Sequence, residues 1–406
     1  MLPHLAVALQ TFMTILATFT LSVFVLYLLT SLLLWYGVPF SSDKKSQQRA
    51  EDLPTVSILI AARDEEERLP TCLTSLLHAD YPPEKIEIIV INDRSTDRTL
   101  QIAEAFAQRD ARVRAISLTQ RLPGMSGKAS TLCQGMSRAR GEIILITDAD
   151  CIVPPTWVSA MVESFTAEVG LVGGFTLLSP SNALRKLVPQ SHRDHLFAKV
   201  QTLDWMYLLT VGAGAAGLGK PVSILGNNFG FRRAAYEQVS GYEKIAFSII
   251  EDFALMQKIA HETEWRVHFP LDPDTTIFSF PTQTWREYFE QRRRWAAGGK
   301  EVGLFAKFLM IVAFVAHLAT PLALFFSSSV ALVGLVAILL ADVLLLWRCA
   351  VALRCTSFLK YFPLFEIYFF AYSLTLAATV LFPATVHWKG VRYRWNMWGK
   401  VKSVEE

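Results

Sequence analysis

Asp148 and Asp150 stand one residue apart, just past the apolar run Ile143 to Thr147. Hard oxygen ligands held this way suit Mg2+ or Mn2+, which take one or two carboxylates from a protein and the rest of their shell from phosphate and water. A diphosphate leaving group needs such neutralisation. A solvated turn is the plain alternative for an isolated Asp-x-Asp, and the position after a buried strand favours the metal. Asp93 holds the same place one strand earlier. It could hydrogen-bond a nucleotide's base or sugar, or close an Asx turn in its own loop. Lys128 could reach a phosphate as a point charge or stay solvated in the first turn of a helix. Glu251 and Asp252 follow Ile249 and Ile250 and open a helix predicted to run to about His261. A helix N-terminus favours an ionised carboxylate, as a general base requires; simple capping is the alternative. Gln291-Arg292-Arg293-Arg294-Trp295 falls on a predicted helix just ahead of an apolar region. Arg294 can grip phosphate and Trp295 can pack on a sugar or its acceptor. The same residues would also suit a basic helix on anionic headgroups.

The elements that must position these groups are legible around them. Val56 to Ala62 is a continuous apolar run, as expected of a strand buried on both faces. Arg63 to Arg68 makes a charged turn, Leu69 to Leu77 a helix, and Tyr81-Pro82-Pro83 a break. Ile86 to Ile91 is a second strand, and Asn92 to Asp97 a polar loop whose Asp97 is the expected N-cap of a helix to about Gln108. Val113 to Leu118 reads as a strand, Lys128 to Arg138 as a helix, and Ile143 to Thr147 as a fourth strand. This alternation implies an α/β fold with a mostly parallel sheet. Ligands of such sheets bind beyond the carboxyl ends of the strands. Arg63 and Asp64, Asp93, and Asp148 with Asp150 all fall at that edge.

The chain of 406 residues is 52% hydrophobic and 18% charged, with mean hydropathy +0.32. That is too apolar for an ordinary soluble protein and too charged for membrane helices alone. No charged residue occurs from Leu5 to Ser42 or from Phe308 to Ala341, and Glu366 is the only one from Tyr361 to Trp388. About 20 apolar residues span a bilayer core. The expected organisation is an N-terminal transmembrane anchor over 1–42, a linker over 43–53, a catalytic domain over 54–299, a membrane region of about three helices over 300–387, and a basic aromatic tail over 388–406. The first apolar run is too long for a signal peptide's core and lacks a basic start. Lys44, Lys45 and Arg49 follow it, which predicts a cytosolic catalytic domain in a multi-pass membrane protein. Five cysteines show no CxxC pair and read as reduced. A net charge of +3 gives no reason to expect nucleic acid.

Taken in order, these segments resemble the family 2 glycosyltransferases, inverting enzymes with a GT-A fold. The resemblance is carried by Arg63-Asp64-Glu65-Glu66, Asn92 to Asp97, Gly127-Lys128-Ala129, Asp148-Ala149-Asp150, Gly226 to Arg233, Glu251-Asp252, and Gln291 with Arg294-Trp295. It implies a GT-A nucleotide-sugar-binding domain with N- and C-terminal transmembrane helices. It implies that Arg63, Asp64, Asp93, Lys128 and Asp148 serve the nucleotide-sugar donor, a UDP-sugar in the first place. Asp148 and Asp150 would hold the metal and diphosphate, Asn227 and Asn228 would lie on the acceptor side, and Asp252 beside Glu251 would be the base. Gln291, Arg294 and Trp295 would close over donor and acceptor. That last motif is shared by processive synthases of cellulose, hyaluronan and poly-N-acetylglucosamine and by ceramide glucosyltransferase. Ile250 departs from the threonine that many processive members carry before the acidic pair.

The acceptor is read less directly. Residues 195–218 are rich in Leu, Trp, Met and Tyr and end in Gly212, Gly214 and Gly217. They read either as a surface dipping into the membrane, where a lipid alcohol could enter, or as ordinary core. Some 110 residues follow Trp295, fewer than a polymer-export channel usually needs. Transfer to a membrane lipid is therefore preferred to a growing glycan. An inactive scaffold or sugar-nucleotide sensor would be expected to lack some of the carboxylates. A transporter is disfavoured because the polar groups sit in the large domain and the membrane segments read as lacking buried charge pairs.

Overall fold

Thirty-six residues without Asp, Glu, Lys or Arg form one helix, α1 (Leu2–Gly37). At about 1.5 Å per residue it exceeds the roughly 30 Å of a hydrocarbon core. The structure, a computed structural model, describes residues 2–39, 50–125, 127–180, 184–188, 190, 195–245, 248, 250–298, 302–381, 385–388, 391–395 and 401–405, with side chains except at 2–6, 50, 294, 296–298 and from 374 onward. The chain divides into two compact units, one of Gly37–Pro281 with Cys349–Ser357, the other of Met1–Tyr36, Thr282–Arg348 and Phe358–Glu406.

The first of these units is built on β1 (Val56–Ala62). Parallel neighbours flank it on both sides, so Ile58, Leu59 and Ile60 are wholly buried. Each such side chain stabilises the fold by roughly 1.5–3 kcal/mol. The helix α2 (Leu69–Leu77) turns Leu69, Cys72, Leu73 and Leu76 inward at helical spacing. Then follow β2 (Ile86–Asp93), α3 (Thr99–Arg109), β3 (Val113–Leu118), α4 (Gly127–Met136) and β4 (Ile143–Asp148). Asp97 acts one residue further out than expected: α3 starts at Thr99, whose N–H donates to Asp97 Oδ1 at 2.9 Å. The remaining elements are β5 (Cys151–Ile152), α5 (Trp157–Glu163), β6 (Val169–Gly173), β7 (Thr176–Leu177), α6 (Leu196–Gly217), β8 (Asn228–Arg232), α7 (Arg233–Gln238), α8 (Glu251–Glu262), β9 (Arg266–His268) and β10 (Ile277–Ser279).

Seven strands lie in the order β3-β2-β1-β4-β8-β6-β9. The pairs β1–β2, β1–β4, β2–β3 and β6–β9 are parallel, and β8 runs antiparallel between β4 and β6. The mostly parallel α/β sheet expected from the sequence is present, with a reversed strand that periodicity did not show. A second sheet, β5-β10-β7, begins just past the end of β4.

Sixteen of the 22 residues of α6 are buried, Asp204 among them. Its glycines serve close backbone approach: a Cβ on Gly217 would stand 1.8 Å from the carbonyl oxygen of Gly37, and one on Gly37 would stand 2.2 Å from that of Gly214. The membrane-dipping surface expected here is replaced by packed core. All five cysteines are free and buried.

The other unit holds α1 up to Tyr36, α9 (Trp285–Gly298), α10 (Leu304–Ala323), most of α11 (Ser328–Ala352), α12 (Phe362–Leu381), and the antiparallel strands β11 (Thr385–Trp388), β12 (Val391–Trp395) and β13 (Val401–Glu405). By packing, α9 falls in this unit, ahead of the domain boundary placed at Gly299 from the sequence. Among the described residues, Val7–Gly37, Leu304–Ala323 and Ser328–Ala352 are long and apolar enough to cross a membrane. The α10–α11 break falls between Ala323 and Ser328. His317 and Asp342 are both fully buried, with Nε2 3.8 Å from Oδ2, and the Tyr27 hydroxyl donates to Asp342. The apolar segments therefore do contain a buried polar pair, which flanking hydrophobicity concealed. The basic tail contributes a small sheet, a pattern its scattered Lys, Arg and Trp did not suggest.

Candidate active site

The loops after β1 and β2 are latched together. Asp64 N–H donates to Ser95 Oγ at 3.0 Å, and Asp64 Oδ1 accepts from Thr96 N–H at 2.7 Å. Glu65 N–H donates to Thr99 Oγ1, and Glu66 N–H to Asp97 Oδ2. Two non-glycine residues hold left-handed conformations here, Asp64 at φ 53° and Arg94 at φ 57°. Aspartate tolerates this region better than most residues. These bonds commit one oxygen of Asp64 to the loop; Arg63 Nε lies 3.9 Å from the other.

Asp93 ends β2, and its Oδ1 accepts from Arg94 Nε at 2.9 Å. The Asx-type bond of this loop belongs to its neighbour, since Asn92 Oδ1 accepts from Ser95 N–H at 3.4 Å. Asp93 Oδ2 lies 3.9 Å from where a Cβ on Gly127 would stand, which brings it to the start of α4. Arg121, which the sequence reading did not single out, reaches the same point, with NH2 3.6 Å away.

Lys128 is the centre of the cluster. Its Nζ lies 2.6 Å from Asp148 Oδ1, donates to the Gly226 carbonyl at 2.9 Å, and stands 3.8 Å from Glu251 Oε1. Its side chain is 15% exposed, so the solvated alternative does not apply. Burial works against its charge, but Asp148 and Glu251 hold the ammonium above its ordinary value. Glu251 and Asp252 are 5% and 9% exposed at the start of α8. Burial pushes the Glu251 carboxyl up to about 7, against the pull of Lys128 and with a further push from Asp252. Burial raises Asp252 as well, while Lys128 and the Phe253 N–H, which donates to Oδ1 at 2.8 Å, work the other way. A Cβ on Gly226 would stand 2.7 Å from Asp252 Oδ2 and 3.2 Å from Lys128 Nζ, so a side chain there would shift the ends of both. One cation thus serves three carboxylates drawn from β4 and α8.

Asp150 stands two residues past the end of β4, and its Oδ1 lies 3.6 Å from Cys151 Sγ. Among the described residues no group of three or more His, Cys, Asp or Glu side chains could hold a metal ion. Two carboxylates such as Asp148 and Asp150 are a donor set that would fit a hard cation completing its shell with phosphate and water.

Asn227 and Asn228 differ from expectation in one respect. Asn228 is fully buried; its amide donates to the carbonyls of Phe175 at 2.7 Å and Thr275 at 3.0 Å, and its Oδ1 accepts from Trp157 Nε1 at 3.0 Å. Its side chain is spent on joining the start of β8 to neighbouring segments and has no capacity for an acceptor. Asn227 Oδ1 accepts from Thr176 Oγ1 at 3.0 Å. Gln291 and Trp295 lie on α9 in the helical unit, and the side chain of Arg294 is outside the described residues.

Residues 57–239 match the family described as glycosyl transferase family 2. That stretch, a little under half of the chain, is similar to a family 2 glycosyltransferase domain. Among curated relatives it is similar to the beta-monoglucosyldiacylglycerol synthase of a Nostoc species, 27% identical over 281 residues that cover 68% of this chain and 56% of that protein. It is also similar to the poly-beta-1,6-N-acetyl-D-glucosamine synthase of Staphylococcus aureus, 26% identical over 268 residues that cover 65% and 59%. The chain spans less than two thirds of the length of either relative. A solved mannosyltransferase from Pyrobaculum calidifontis, in complex with GDP-Man and Mn2+, matches with TM-score 0.53 and 21% identity, over 89% of this chain and 98% of that one. The fold is GT-A.

Proposed function

We propose that the chain transfers a sugar from a nucleotide-sugar donor, a UDP-sugar in the first place, to a lipid acceptor at the cytosolic face of a membrane, with inversion at the anomeric carbon. The observation that carries the reading is the buried cluster of Lys128, Asp148, Glu251 and Asp252 around the Gly226 carbonyl. Asp93 takes the nucleotide, with Arg63 and Asp64 in the adjoining loop. Asp148 and Asp150 would hold Mg2+ or Mn2+, whose chemistry is to neutralise the diphosphate. Asp252 accepts the proton of the acceptor hydroxyl as its oxygen forms the new glycosidic bond and the bond to the diphosphate breaks. Attack and departure on opposite faces invert the configuration.

Lys128 links the two halves of the site. While it pairs with Asp148 and Glu251 it lowers the proton affinity of the α8 carboxylates. A donor diphosphate that draws Nζ toward itself leaves Asp252 a stronger base when the acceptor must be deprotonated. The lipid acceptor is supported by the three apolar helices and by similarity to the Nostoc lipid synthase. The packed state of α6 withdraws support from a lipid entrance at residues 195–218. A second reading, polymer synthesis, is favoured by similarity to the Staphylococcus synthase.

The deciding experiment incubates membranes holding the protein with a panel of radiolabelled sugar nucleotides. Label in the chloroform-extractable lipid supports lipid transfer. Label in an insoluble polymer selects the second reading, and no incorporation from any donor ends both.

A further inference from the structure

Tyr288, Arg292 and Trp295 share one face of α9 at i, i+4 and i+7. Arg292 is 1% exposed, among the largest fully buried side chains of the chain. Its guanidinium carbon lies 4.3 Å from the Trp295 ring centroid, 4.8 Å from that of Tyr288, and 5.8 Å from that of Tyr372 on α12. Tyr288 is buried too, and its hydroxyl pairs with that of Tyr368, one turn before Tyr372. The Tyr368 and Tyr372 rings stack at 5.7 Å. Three rings from two helices therefore surround one cation, all within the helical unit.

A guanidinium is planar and weakly hydrated, so it can stack on aromatic faces out of water, where the attraction is strongest. At 1% exposure Arg292 has no free face for a lipid headgroup or a diphosphate. It differs in this from the basic interfacial helix that the run of three arginines suggests. Its nearest ring is Trp295, a residue that the family resemblance gives to donor and acceptor closure, and Gln291 lies beside it on the same side of α9.

We propose that Arg292 is a positioning residue for glycosyl transfer: held between Tyr288, Trp295 and Tyr372, its guanidinium sets the angle of the Trp295 ring and fixes α9 on α12. Gln291 and Trp295 are thereby presented in one geometry. The inference rests on the transfer reaction proposed above. Misplacement of a site group by about 1 Å can cost on the order of a hundredfold in rate.

The test uses the full chain in nanodiscs, with Arg292→Met, Arg292→Lys and Tyr372→Leu. Two measurements are made: hydrogen exchange across residues 285–298, and kcat and donor KM for transfer. Arg292→Met should speed exchange in that segment about tenfold or more and leave exchange in β1 and β4 unchanged. It should lower kcat about ten- to a hundredfold with donor KM nearly constant. Arg292→Lys should recover part of both losses, and Tyr372→Leu should move both in the same direction as Arg292→Met. Unchanged exchange in 285–298 overturns the proposal even if no donor is ever found. A kcat per folded molecule equal to wild type overturns it as well. An inactive wild type with the expected exchange pattern counts against the transfer reading and leaves the cage assignment standing.

Discussion

Glu251→Gln isolates the electrostatic strain in the cluster. In the folded protein burial holds the Glu251 carboxyl at about 7, against 4.5 for the free side chain. Below the lower value both states are protonated and the group adds nothing to the pH dependence. As pH rises from the lower value to the upper, the unfolded chain releases its proton first, so stability is lost progressively and the full penalty stands above the upper value. At about 1.4 kcal/mol per pKa unit, the loss between pH 5 and pH 8 is about 2.5 kcal/mol. Glutamine binds no proton in this range. Whatever fixed cost its lost contact with Lys128 brings is the same at both pH values. Thermal unfolding of wild type and variant in detergent should therefore give a difference in Tm that grows in the variant's favour from pH 5 to pH 8, by roughly 5–10 °C for a domain of this size. A difference in Tm that is flat with pH would refute the claim that Glu251 is buried at a cost beside Asp252.

Asp252→Asn should lower transfer by about 10²–10⁴ while leaving donor binding intact; near-normal turnover in purified variant removes Asp252 as the base. Chelation should stop transfer and Mg2+ or Mn2+ restore it, and Asp150→Ala should weaken nucleoside diphosphate binding only when metal is present. Full activity in excess chelator would end the metal role of Asp148 and Asp150. Gly226→Ala places a methyl 2.7 Å from Asp252 Oδ2; it should cost about 1–3 kcal/mol of stability by overpacking and cut kcat more than donor affinity, and wild-type kcat would contradict the close approach. If α12 is a fourth crossing, Ser403→Cys on β13 should react with an impermeant maleimide in intact cells, whereas protection until the membrane is opened would mean that one of the apolar segments does not cross.

Local pattern alone determined the strand and helix order from β1 to β4, because a period of two or 3.6 and a run buried on both faces are written in consecutive residues. Val56–Ala62, Leu69–Leu77 and Val113–Leu118 stand where the sequence put them. The positions of Asp93 and Asp148 were also legible, since a parallel sheet places the ends of its strands along one edge. Partner choice is not local, and there the tertiary structure decided. Lys128 meets a carbonyl 98 positions away at Gly226, and nothing in either segment names the other. Asn228 read as an acceptor contact in its motif, yet Phe175, Thr275 and Trp157 consume its amide. In α6 an apolar composition could equally face lipid or core, and only packing separates the two. Arg292 carried a faint signal in the spacing of Tyr288, Arg292 and Trp295. Its role became readable only when Tyr372, 80 positions on, closed the third side, because a buried cation is tolerated where distant chain segments supply the faces that replace water.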